Sequence, residues 1–104
     1  MYTTVSEPNL YEKFCEILNN RNVYFQPPAS VKMKYPAIVY SRKSIDNKHA
    51  NNEVYIQSFG YEVTVIDYEP DSEYVLRMSR LPKCKWDRQY VTDGLYHDVF
   101  TLKI

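Results

Sequence analysis

The chain has 104 residues, 44% hydrophobic and 25% charged, a composition typical of one folded domain spanning residues 1–104. Thirteen basic and thirteen acidic residues give a formal net charge of +0, which argues against nucleic-acid binding, because such proteins usually carry a basic excess. No apolar run approaches the ~18 residues of a membrane helix, and no signal segment is evident. We therefore expect a cytosolic protein that does not associate with a membrane.

Tyrosine and cysteine usage add two expectations. Eleven residues are tyrosine, a side chain that suits half-buried sheet faces and protein interfaces, although its β-propensity alone explains the enrichment equally well. Cys15 and Cys84 are the two cysteines, and in a cytosolic protein we expect both to be reduced.

The first predicted element is a helix that is capped by Ser6 or Asn9 and ends near Asn19, with Pro8 in its first turn. Apolar side chains recur at helical spacing and predict one buried stripe, formed by Leu10, Tyr11, Phe14, Ile17 and Leu18.

Residues 23–40 form the most unusual segment, because an aromatic pair, a double proline and the Tyr35-Pro36 dipeptide precede a strand. Proline fixes its own φ and disfavours helix in the residue before it. We therefore expect rigid, extended backbone outside the sheet until the strand begins at Ala37. Such backbone more often contacts a partner than fills a core.

A long hairpin is predicted next, with one strand over residues 37–44 and a returning strand over residues 54–68. Residues 46–53 between them are almost entirely polar, so we expect a mobile loop that is disordered in an isolated subunit and orders on assembly. Gly60 predicts a bulge in the returning strand. Alternation in that strand predicts one apolar face, formed by Phe59, Tyr61, Val63 and Val65.

The second helix is predicted to begin at residues 70–72, with Asp71 as its N-cap, and to end near Leu81, before Pro82. The side chains expected to face the sheet are Val75, Met78 and Leu81.

A final hairpin is predicted to turn at residues 92–94, because Asp93-Gly94 supplies the positive φ values of a tight turn. Its last strand places Phe100 and Leu102 on one face and Val99 on the other. Together the elements predict an α+β two-layer domain. It has a mainly antiparallel sheet of about four strands in two hairpins, with two helices packed on one face.

Few residues of the sequence have a spacing that suits catalysis or metal binding. His49 and His97 are the two histidines, and neither has a spacing typical of metal ligands. His97 and Asp98 are strand neighbours, so they point to opposite faces and cannot readily act together. Two glycines are too few for a phosphate-binding loop. We predict no enzymatic activity, no cofactor and no metal.

Lys83, Lys85 and Arg88 lie beside Trp86 and Tyr90, a pattern that superficially resembles single-strand nucleic-acid binding. Strand alternation would place Trp86, Arg88 and Tyr90 on one face and Lys83 and Lys85 on the other. That arrangement is more typical of an edge strand protected by charge, so we predict no specific nucleic-acid binding.

A resemblance to a known family is carried by seven segments, in order along the chain: 24–28 (YFQPP), 33–40 (MKYPAIVY), 61–67 (YEVTVID), 70–72 (PDS), 81–84 (LPKC), 87–90 (DRQY) and 95–100 (LYHDVF). In these segments the chain resembles tail terminator proteins, also called tail completion or head–tail joining proteins, of bacteriophages and prophages of Gram-positive hosts. The resemblance covers almost the whole chain, although the first helix and the loop between the long strands are similar only in character.

This resemblance implies a non-enzymatic virion structural protein that assembles as a ring, and hexameric rings are typical of the family. Such a ring caps the tail tube, ends its polymerisation and forms the head–tail joining surface. The implied partners are other copies of the chain, the tail tube protein and the head completion or connector protein. The implied location is the virion tail, and the host cytoplasm during assembly. We expect the interface to include Tyr24, Phe25, Pro27, Pro28, Met33, Tyr35, His49 and Asn51.

Two alternatives stay open. A small phage-encoded regulator or inhibitor that binds a host protein is compatible with the same composition. A neighbouring head-completion protein with a similar fold is compatible with the same segments. Stoichiometry in purified virions distinguishes the first alternative, and gene order beside the major tail protein distinguishes the second.

Overall fold

The computed structural model describes residues 6–51 and 53–104 and contains two helices and five strands. The strands form one mixed sheet in the order β1-β2-β3-β5-β4, in which β1 and β2 are parallel and the other pairs are antiparallel. The predicted α+β class is confirmed, with five strands rather than four. In chain order the elements are α1 (Ser6–Leu18), β1 (Val23–Phe25), β2 (Ala37–Ala50), β3 (Glu53–Asp67), α2 (Glu73–Ser79), β4 (Cys84–Thr92) and β5 (Leu95–Lys103).

The core lies between the helices and one face of the sheet. The predicted stripe of α1 is confirmed, with Tyr11 partly buried and the other four side chains buried. Phe14 packs edge-on against Tyr40, with ring centroids 5.0 Å apart. The sheet contributes Ile38, Tyr40, Tyr61, Val63, Val65, Phe100 and Leu102 to the same cluster.

The helix α1 ends one residue before the predicted boundary. Asn19 adopts φ 60°, and its N–H donates to the carbonyl oxygen of Cys15 at 2.8 Å. This left-handed residue closes the helix, since asparagine tolerates that conformation better than most residues. Asn9 is not the N-cap, because it lies inside α1, and Pro8 lies in the first turn, as predicted. A capping role of Ser6 depends on a side chain outside the described part of the structure.

The expectation that the backbone stays outside the sheet from residue 23 to residue 36 is wrong for β1. Val23 pairs with Ile38 and Phe25 with Tyr40. Val23 is buried in the core cluster, which favours pairing at this point. The prolines begin only at Pro27, so each residue of β1 keeps an N–H group for the ladder.

The prediction of a loop is also wrong for residues 46–50 and 53, while Asn52 lies outside the described residues. β2 continues to Ala50 and β3 begins at Glu53, with pairs from Ala37 opposite Ile66 to Ala50 opposite Glu53. Antiparallel pairing provides hydrogen bonds for the backbone N–H and C=O groups whatever the side chains are. The polar side chains here therefore indicate exposure to solvent and not irregular backbone.

Gly60 lies at a bulge, as predicted, but the extra residue belongs to the opposite strand. Arg42 pairs with Tyr61 and Ser44 pairs with Gly60, which leaves Lys43 without a partner in the ladder. A Cβ atom at Gly60 would collide with the hydroxyl of Ser44. A larger residue at this position would therefore require the Ser44 hydroxyl to move, since the three atoms nearest to such a Cβ all belong to side chains.

The N-cap of α2 is Ser72, not Asp71 as predicted, and the helix ends at Ser79, not near Leu81. The Ser72 hydroxyl accepts from the N–H of Tyr74 at 3.2 Å and donates to the buried carboxylate of Asp67 at 2.7 Å. Asp71 is exposed. Ser72 is favoured because Asp67, five residues earlier, holds its hydroxyl in place. The three sheet-facing side chains predicted for this helix do contact the core cluster.

The β4–β5 hairpin turns at Asp93-Gly94 with φ values of 54° and 73°, as predicted. A register shift between Trp86 and Arg88 corrects the predicted faces of β4. Trp86 pairs with Phe100 on the helix side, whereas Arg88 pairs with Val99 on the other side. The bulge at Asp87 breaks the alternation on which the prediction depended. β4 is an edge strand, as predicted.

Candidate interaction surfaces

The segment after β1 returns across the face of the sheet opposite the helices. The Tyr24 side chain alternates with those of Val23 and Phe25, which contact the core, so it points to that opposite face. Its hydroxyl accepts from the N–H of Lys34 at 3.2 Å. Tyr24 therefore anchors the returning segment and is half-buried, although it was predicted as an interface residue.

The remaining residues predicted in this segment differ in exposure. Phe25 is 37% exposed and packs on Tyr40 with ring centroids 4.9 Å apart. Pro28 is exposed. Pro27, Met33 and Tyr35 are half-buried. Phe25 and Pro28 thus present more of their surface to a partner than the other members of the segment do.

His49 and Asn51 are exposed at the far end of the β2–β3 hairpin. β5 pairs with β3 from Gly60 to Asp67, so residues 45–51 and 53–58, here called the arm, extend beyond the five-stranded part of the sheet. At about 3.3 Å per residue, β2 spans about 43 Å. The longest dimension of the molecule is 52 Å. The two groups of predicted interface residues therefore lie at opposite ends of the hairpin.

An acidic loop, residues 68–73, lies at the base of the hairpin. Glu69, Asp71 and Glu73 are exposed, and Tyr68 is 60% exposed. The Tyr68 ring contacts that of Tyr35 edge-on, with centroids 6.3 Å apart. This contact joins the acidic loop to the predicted interface segment in one continuous surface, which sequence spacing could not indicate.

The residues considered for catalysis are engaged in structural contacts. His97 stacks on Tyr90 with ring centroids 4.7 Å apart, and its Nδ1 lies 3.2 Å from the carbonyl oxygen of Leu95. The buried carboxylate of Asp98 lies on the opposite face. It accepts from Trp86 Nε1 at 3.0 Å and from Gln89 Nε2 at 3.3 Å. His97 and Asp98 thus point apart, as strand geometry requires.

The Cys84 thiol is not activated. Cys15 is buried in the core, and Cys84 is half-buried. Burial raises the pKa of the Cys84 thiol to about 11, and the carboxylate of Asp87 adds to the increase. A raised pKa lowers the fraction of reactive thiolate at neutral pH. Within residues 6–51 and 53–104, no group of three or more histidine, cysteine or acidic side chains could hold a metal ion.

The exposed edge of β4 is a feature that the sequence indicated only in part. Trp86, Tyr90 and Val91 are 49%, 43% and 56% exposed, and β4 has β5 on one side only. An unpaired edge with exposed apolar side chains can receive another chain. The bulge directs Trp86 and Tyr90 to different faces, so they do not form one aromatic platform.

Comparisons with known proteins give no family assignment for the chain. No protein-family model matches it, and no curated protein shows significant similarity to it. In the described part of the chain, no helix is long and apolar enough to span a membrane.

Proposed function

We propose that this protein is a phage virion structural protein that caps the tail tube as a ring, ends tail polymerisation and forms the head–tail joining surface. The single observation that carries the proposal is the ordered series of seven segments, which resemble tail terminator proteins over almost the whole chain.

The geometry is compatible with such a role. A closed ring needs two different surfaces on each subunit, because neighbouring subunits meet head to tail. The arm at one end of the hairpin and the segment at its base are different surfaces. Phe25 lies beside Tyr40, and about 30 Å of β2, at 3.3 Å per residue, separates Tyr40 from His49. They differ in chemistry as well: residues 46–49 of the arm present exposed polar side chains, and the base carries Phe25, Pro28 and the acidic loop.

Quantitative mass spectrometry of purified virions tests the proposal. We expect a few copies of the chain per virion, constant between preparations and far fewer than the copies of the tail tube protein. Absence from purified virions, with abundant protein in the infected cell, would exclude a virion component and favour the regulator that binds a host protein. In that case, the exposed edge of β4, with Trp86 and Val91, would be the candidate surface for binding the host protein.

A further inference from the structure

An apolar groove rimmed by lysines lies at the end of the sheet where β5 finishes. It has a volume of about 270 Å³ and is bounded by the first part of α1, the segment after α2 and the end of β5. Its apolar walls are formed by Leu10, Leu81, Pro82, Leu102 and Ile104. Ile104 is 45% exposed, so the groove is open to a partner's side chains.

Three lysines, Lys13, Lys83 and Lys103, line the same groove. Lys103 lies 3.6 Å from the carboxylate of Asp46, in an exposed pair. Lys13 and Lys83 form no ion pair with any residue that the structure describes. Within the described residues, the groove thus combines apolar walls with two lysines, Lys13 and Lys83, that have no ion-pair partner.

The acidic loop has the complementary chemistry. Glu69 and Asp71 form no ion pair within the described residues, whereas Glu73 pairs with Arg77 at 2.7 Å. Exposed apolar side chains accompany the negative charge, namely Tyr68 at 60% and Leu76 at 55%. Opposite charge around apolar contacts is the usual basis of specificity at a protein interface.

The loop and the groove of one chain cannot meet each other. Asp67, which precedes the loop, pairs with Tyr96 near the start of β5, whereas Leu102 in the groove lies near its end. Six residues of β5 separate them, about 20 Å at 3.3–3.4 Å per residue. Two complementary surfaces at opposite ends of one subunit favour a head-to-tail contact between copies, which closes into a ring when the rotation permits.

We propose that the acidic loop of one copy docks in the lysine-rimmed groove of the next copy, and that this contact builds the ring. The inference depends on the proposed ring assembly and identifies its interface. Tyr68 or Leu76 would enter the apolar part of the groove, while Glu69 and Asp71 would approach Lys13 and Lys83.

Two charge-reversed variants of the full chain test the contact. A groove variant carries Lys13→Glu and Lys83→Glu, and a loop variant carries Glu69→Lys and Asp71→Lys. All four side chains are exposed, so we expect both variants to fold. A matched control carries Glu16→Lys and Lys85→Glu, which keeps the net charge and reverses two exposed residues outside both surfaces.

We expect the wild type and the control to associate at high concentration in analytical ultracentrifugation. Each charge-reversed variant alone should associate at least about a hundredfold more weakly, because both of its surfaces then carry the same sign of charge. An equal mixture of the two should recover assembly, since each groove again meets a loop of opposite charge. A carbodiimide, which joins contacting amines and carboxylates, should link Lys13 or Lys83 to Glu69 or Asp71 of another copy.

Two outcomes would overturn the inference. Undiminished association of either variant alone would show that the ring closes through other surfaces, and the proposed function would stand. A wild type that neither associates nor cross-links at these lysines would exclude the contact itself. Virion mass spectrometry then decides the proposed function independently.

Discussion

At the scale of single residues, buried polar side chains in this protein have specific partners. Asp98 is 3% exposed and accepts hydrogen bonds from Trp86 and Gln89, and the Gln89 amide also donates to the carbonyl oxygen of Pro70. These bonds connect β5 to β4 and to the loop before α2. These hydrogen bonds explain the burial of the Asp98 carboxylate without a catalytic role, because a buried carboxylate is tolerated when hydrogen-bond donors surround it.

The reactivity of Cys84 is a prediction at this scale. In a Cys15→Ala variant, where Cys84 is the remaining thiol, we expect slow modification by a disulfide reagent near pH 8. With a pKa raised from 9.0 to about 11, only roughly a thousandth of the thiol is ionised at that pH. The rate should increase about tenfold per pH unit towards pH 11.

The direction of the stability effect follows from the same shift. The thiol ionises more readily in the unfolded chain than in the folded chain, so its contribution to stability is present below pH 9 and decreases as the pH rises towards 11. A modification rate that reaches its plateau near pH 9 would show that the Cys84 thiol has an ordinary pKa.

At the scale of elements, sequence and structure differ on the N-cap of α2: the sequence predicts Asp71, and the structure shows Ser72. Ser72→Ala removes the hydroxyl that accepts from the Tyr74 N–H and leaves the Asp67 carboxylate without that donor. We expect a loss of about 1–2 kcal/mol in the free energy of unfolding, measured with urea. The control Asp71→Ala should change it by less than about 0.5 kcal/mol. A larger loss for Asp71→Ala than for Ser72→Ala would show that Asp71 is the cap.

Local sequence signals predicted several elements well. The stripe of α1, the alternation of β3 and the Asp93-Gly94 turn were all predictable, because helical period, strand period and turn chemistry are encoded by neighbouring residues. β1 and the bulge at Asp87 were not, because both depend on which distant strand lies alongside. Pairing across the sheet is a property of the fold that no short window contains.

The candidate surfaces were also predictable only in part, because they combine local sequence features with contacts between distant residues. Residues 24–35 stood out because prolines and aromatics are visible in sequence, but the role of Tyr24 as an anchor depends on Lys34 folding back onto it. The lysine-rimmed groove draws on residues near both ends of the chain and on the segment after α2. No spacing rule connects such positions, so only the fold could bring them together.

The arm provides a second prediction at this scale. Residues 45–51 and 53–58 form a two-stranded ribbon with no third strand among the described residues, and Ile45 is 49% exposed. Such ribbons are marginally stable in water. We expect amide hydrogens of residues 45–50 to exchange much faster than those of residues 61–67, as hydrogen-exchange mass spectrometry can measure. Equal protection in dilute, monomeric protein would contradict this view of the arm.

At the scale of the whole molecule, an elongated subunit carries different chemistry at its two ends. The arm extends from one end, and the acidic loop lies beside Tyr35 at the other. In the proposed ring the acidic loop contacts the next copy of the chain, which leaves the arm available for a different contact, with the tail tube or the head connector. A ring between a tail tube and a head connector needs such an arrangement of surfaces.

The proposed role in ending tail growth is tested most directly by the lengths of tails that form without this protein. In a deletion mutant of the parent phage or prophage, electron microscopy should show tails of variable, extended length that are not joined to heads, and a plasmid copy of the wild-type gene should restore normal particles. Tails of normal length that are joined to heads in the deletion mutant would contradict the proposal that this chain ends tail growth.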